Sequence, residues 1–138
     1  MSANHYIDKE RQLIITTWEG KASDVDFIEA INKYQNEIQN HPDYIHFNEI
    51  VNLTKVTGYK LTTEGIKTIG QIASSTDKSD LNRKLAIIVN TSLAYGLARM
   101  YVTYRGFTKK GKKEINIFKV EKDAFEWVQN KSPQETQI

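Results

Sequence analysis

No cysteine occurs among the 138 residues. This excludes a disulfide framework, a zinc–thiolate site and a cysteine nucleophile, and it suits a reducing cytoplasm. Long hydrophobic runs are missing too. No apolar stretch approaches the ~20 residues that cross a bilayer, and the opening MSANHYIDKERQ lacks the apolar segment of a signal peptide. Charge of one sign is also absent. The 19 basic and 17 acidic side chains leave +2, too little by itself to imply a nucleic-acid partner. The balance is uneven along the chain, with the basic excess mainly in Lys109, Lys110, Lys112 and Lys113. A chain of this length is expected to be one domain, residues 1–131, with a disordered tail at 132–138.

The richest stretch is Arg83 to Phe107, RKLAIIVNTSLAYGLARMYVTYRGF. Leu85 to Val89 is a continuous apolar run that fits a strand covered on both faces. Asn90, Thr91 and Ser92 follow, with side-chain oxygens for the free amides of a helix start. The helix carries only Arg99 and Arg105 as charges. Leu93, Leu97, Met100, Tyr101 and Tyr104 fit a stripe facing the sheet, and Tyr95, Arg99 and Val102 fall on the other side.

Elsewhere the pattern alternates between strand and helix. Tyr6-Ile7 and Leu13 to Trp18 read as a hairpin of two strands. Ser23 and Asp26 read as a capping box, opening a helix that His41-Pro42 stops. Phe47, Glu49, Val51 and Leu53 share one phase of a third strand, and Gly58 is read as a turn. Thr62 or Thr63 can cap a helix with Ile66, Ile69, Ile72 and Ala73 as its apolar stripe. Ser74 to Asn82 reads as a polar loop and Gly106 to Lys113 as a solvated basic one. Ile115, Ile117 and Val120 alternate as a last strand. Asp123 can cap a final helix. The order β-β-α-β-α-β-α-β-α predicts an α/β fold with a mixed sheet of four to five strands.

This order resembles the STAS fold of the anti-sigma-factor antagonists, and more closely its SpoIIAA-like branch. The local match is Leu85-Ala86-Ile87-Ile88-Val89 with Leu93-Ala94-Tyr95-Gly96-Leu97-Ala98-Arg99-Met100-Tyr101. The same fold group is similar to the CRAL-TRIO lipid-exchange domains. In the regulatory antagonists an Asp-Ser-Ser-Gly-Leu motif opens the second helix and one serine is phosphorylated. The matching segment here is Thr62-Thr63-Glu64-Gly65-Ile66. Thr63 takes the acceptor place and Gly65 and Ile66 fit, whereas Thr62 replaces the Asp and Glu64 the second Ser. The antagonists' third-strand Asp falls on Asn52.

The resemblance implies a non-enzymatic regulatory or protein-interaction module of the bacterial cytoplasm, with a degenerate phosphoswitch at Thr62, Thr63 and Gly65. Thr91, Ser92, Tyr95, Arg99 and Val102 would form the contact with a protein partner or a second copy. The alternative is a carrier or sensor of a lipid or other small apolar ligand, with a cavity lined by Leu93, Leu97 and Met100. No catalytic residue, metal or cofactor is expected. His5, His41 and His46 have no ligand spacing. Ser74, Ser75 and Ser79 lack a nucleophile-elbow pattern. Gly65 and Gly70 form no phosphate-binding fingerprint.

Overall fold

The computed structural model describes residues 2–75, 82–108 and 113–130. Five strands form one sheet in the order of the chain: β1 (Ser2–Asp8), β2 (Leu13–Ser23), β3 (Asn48–Lys60), β4 (Lys84–Ile88) and β5 (Glu114–Phe118). β1 runs antiparallel to β2, and each later strand is parallel to its predecessor. The hairpin turn closes with Gln12 in the left-handed region. The helices are α1 (Asp24–Tyr34), α2 (Thr63–Ser74), α3 (Ser92–Thr108) and α4 (Glu121–Gln129). A π-helical segment, Gln35–Gln39, continues α1.

The spatial order never reverses, so each right-handed crossover steps the same way across the sheet. That puts α1, α2 and α3 side by side on one face, with α1 on α2 and α2 on α3. α4 packs over β3, β4 and β5 on the other face. Strand alternation divides the core accordingly. Leu13, Ile50, Ala86 and Ile88 meet Ala124 and Val128 of α4. Leu85, Ile87 and Val89 meet Ala94 and Ala98 of α3. Trp18, Ala22, Phe27 and Ile69 join α1 and α2 to β2.

The mixed α/β sheet and element order agree with the sequence reading. Several details differ. Gly58 does not turn the chain. It lies inside β3 opposite Lys21, because the parallel pairing with β2 continues through two register shifts. Val120, not Asp123, precedes the first turn of α4. The sheet-facing stripe of α3 is rotated: Ala94 and Ala98 are buried, whereas Leu93 is 59% and Met100 40% exposed. Small alanines let the helix backbone approach the sheet, which turns the larger side chains outward. Lys113 is not solvated but 3% exposed. Lys109, Lys110, Lys112, Ser79 and the tail lie outside the described residues.

Candidate functional site: a cavity with a polar end

Three strands begin their helix-facing phase with a charge. Glu49 is the second residue of β3, Arg83 immediately precedes β4 and Lys113 immediately precedes β5. The register joins them: Glu49 pairs with Leu85, Leu85 with Ile115, and the Glu114 amide bonds the Arg83 carbonyl. Two residues before Leu85 and Ile115, Arg83 and Lys113 therefore lie one inward-facing step from Glu49. All three are buried, as is Arg105 in the last turn of α3. A cation suits that helix end.

Glu49 is the hub. Lys113 Nζ and Gln39 Nε2 each donate to its Oε1 at 2.7 Å, and the Tyr34 hydroxyl donates to Oε2 at 2.8 Å. Burial alone would raise the Glu49 pKa. Lys113, then Arg83 and the Tyr34 hydroxyl, outweigh burial and hold it below the usual carboxylate range. Burial also depresses Lys113, against the pull of Glu49 and with a push from Arg83 and Arg105. Tyr34 is driven well above its ordinary value by burial and by the adjacent carboxylate. A depressed carboxylate with three donors is a weak base.

The π-helical segment sets the next link. It brings the Asn40 amide onto the Gln35 carbonyl at 3.0 Å, and Gln35 Nε2 donates to Gln39 Oε1 at 2.8 Å. Such wide turns often accompany functional sites. The His5 ring of β1 lies tilted against Tyr34, centroids 4.9 Å apart, and shares a 2.7 Å hydrogen bond with Thr16.

Glu49, Lys113, Tyr34, Gln35, Gln39, His5 and Thr16 line one part of a partly open cavity of about 130 Å³ between the sheet and α1, α2 and α3. The rest of its wall is largely apolar: Trp18, Phe27 and Ile31, then Val51, Leu53, Ile69, Ile87 and Leu97. Tyr59 and Ala98 also line it. A cavity of ~150 Å³ in another protein core holds benzene. Among the described residues, two buried polar atoms on this wall lack a hydrogen-bond partner: Gln35 Oε1 and the Tyr59 hydroxyl.

The residues singled out in the sequence lie elsewhere. Thr62 is the cap of α2: its hydroxyl accepts from the Gly65 amide at 2.9 Å and donates to Asp24 Oδ2 at 2.6 Å. The Thr62 amide donates to Asp24 Oδ1. Asp24, from the first turn of α1, thus brings a carboxylate to the start of α2. A Cβ at Gly65 would collide with that carboxylate. Thr63 is exposed and lines a shallow surface groove with Ile66 and Lys67 of α2 and Arg99, Met100 and Tyr104 of α3. So Thr63 and Arg99 border the same groove.

Tyr95 does not join them; Lys119 lies over its ring at 5.2 Å. Val102 packs partly buried toward β4 and β5. Thr91 caps α3, accepting from the Ala94 amide at 3.1 Å, and Ser92 is exposed at its first turn. Of the three expected cavity residues only Leu97 lines it. Among the described residues, no cluster of His, Asp or Glu is arranged to hold a metal ion. No described helix is long and apolar enough to cross a membrane.

The sequence reading missed the polar end. Its signal was present: Glu49 shares a strand phase with Phe47, Val51 and Leu53, so alternation alone turns it inward.

No protein-family model matches the chain, and no curated protein does. Among solved structures, the chain is similar to an uncharacterised protein of the DUF3478 family with a SpoIIAA-like fold, from Shewanella loihica PV-4. The TM-score is 0.55 at 16% identity, with 92% of each chain covered. The fold is therefore SpoIIAA-like, as the strand order also indicates.

Proposed function

We propose that this domain is a non-catalytic carrier or sensor of a small, mainly apolar ligand held between the sheet and α1–α3. The cavity carries this reading: a well-packed core leaves few voids larger than a water molecule, and this one is benzene-sized with polar groups at one end. The saturation of Glu49 by three donors argues for binding over acid–base chemistry. The bacterial cytoplasm is the proposed setting.

The test is native mass spectrometry of freshly purified protein, with thermal shifts across a panel of lipids and small apolar compounds. A retained ligand or a positive shift supports the reading. Leu97→Phe, which adds volume to the cavity wall from a partly buried position of α3, should reduce the shift while the protein stays folded. An apo mass with no shift across the panel would count decisively against it.

A second reading rests on the groove that Thr63 and Arg99 border. A phosphate on Thr63 would add about −1.5 to −2 charge in a groove that also holds Lys67 and Arg99. The groove would then be a switchable contact for a protein partner or a second copy. Thr63→Glu and Arg99→Ala should each change self- or partner association in light scattering and pull-down. No change in either sinks this reading.

A further inference from the structure

Resting on the cavity reading, we infer that the ligand carries a hydrogen-bond donor, a hydroxyl or N–H, at one end of a compact apolar body. The direction of the glutamine relay leaves an acceptor facing it. Ionised Glu49 only accepts hydrogen bonds. Gln39 must therefore turn its amide nitrogen toward Glu49, as it does at 2.7 Å. Its oxygen then faces Gln35 and needs a donor, which Gln35 Nε2 supplies at 2.8 Å. The Gln35 oxygen is what remains. It is an acceptor on a side chain only 4% exposed, it lines the cavity, and it has no partner among the described residues. Flipping either amide would set like against like, so the orphan acceptor is a consequence of the carboxylate.

A buried acceptor without a donor is costly, and a ligand that supplies the donor removes that cost. A carboxylate head group cannot donate to Gln35. A pure hydrocarbon fills the space and leaves the acceptor bare. A phenol, small alcohol or amide fits both the volume and the polarity. The Tyr59 hydroxyl, also buried on this wall, offers a second polar contact that donates or accepts.

The test titrates the full chain with phenol and with fluorobenzene, similar in size but without a donor, following amide shifts by NMR. Phenol binding at least as tightly as fluorobenzene supports the inference. The variant Gln35→Leu/Gln39→Leu removes the relay as a unit. If it keeps its thermal unfolding transition, phenol should weaken about tenfold and fluorobenzene by less than about twofold. Fluorobenzene binding more than about tenfold tighter than phenol to the unaltered protein overturns the donor requirement and leaves the cavity reading standing. Failure of both probes to bind overturns both.

Discussion

Lys113 Nζ lies 2.7 Å from Glu49 Oε1, and both side chains are buried below the helix layer. Removing one partner of such a pair leaves a charge without its counterion in a low-dielectric interior. Lys113→Met and Glu49→Gln should each lower stability by about 3–5 kcal/mol. The double substitution should cost clearly less than the sum. Urea unfolding of the four proteins measures the coupling, and simple additivity would show that the pair is not an energetic unit.

Acid should destabilise the fold in two stages. Burial chiefly lowers His5 from 6.5, with Glu37 opposing and Lys33 assisting. The unfolded state then binds more protons below about 6.5, so stability falls as pH drops through that value. Glu49 is held below its ordinary 4.5. Its contribution is present above 4.5 and disappears as pH falls through the folded value. Urea midpoints across this range should show both stages, and His5→Asn should remove the first. Raised Tyr34 works in the opposite sense. Its stabilisation is full below 10.0 and is lost as pH rises above it, so Tyr34→Phe should flatten the alkaline limb.

Gly65→Ala should destabilise the protein by about 1–2 kcal/mol, beyond the helix-propensity gain of alanine. The added methyl displaces Asp24, which holds the Thr62 amide and hydroxyl. Asp24→Ala in the same background should cost little more, because the Thr62 contacts it removes are already broken there. A double-mutant cycle by thermal melting checks this.

The rotated face of α3 is directly testable. Leu93→Lys and Met100→Lys should change stability by less than about 0.5 kcal/mol, as exposed positions do. Ala94→Asp buries an unpaired carboxylate and should cost several times more.

Much of the fold could be read from the chain. Ser23 and Asp26 do form a capping box, Leu85–Ile88 is a strand buried on both faces, and Thr91 starts α3. These features are local, and local chemistry decides them. The orientation of α3 was not legible, because Leu93 and Met100 satisfy a helical period as well as Ala94 and Ala98 do. Only the distance of closest approach to the sheet selects the alanines. The cavity's polar end was half legible. Strand phase turns Glu49, Arg83 and Lys113 inward, yet Lys113 closes a run of lysines whose composition alone suits a solvated loop. Its partner stands 64 positions away, and pairing at that separation is set by sheet register. The Gln35–Gln39 relay depends on a π-helical turn that no periodicity announces.

The unreversed strand order bears on how the chain comes together. Each strand docks beside its immediate predecessor, so a nascent chain that has finished any crossover already holds its strands in their final arrangement. No later strand must be inserted between earlier ones. The exception is chemical. Glu49 arrives with the third strand, but its lysine comes 64 residues later, just ahead of the fifth. Until then the carboxylate has Tyr34, Gln39 and the nearby Arg83, and only the arrival of the last strand completes its pairing.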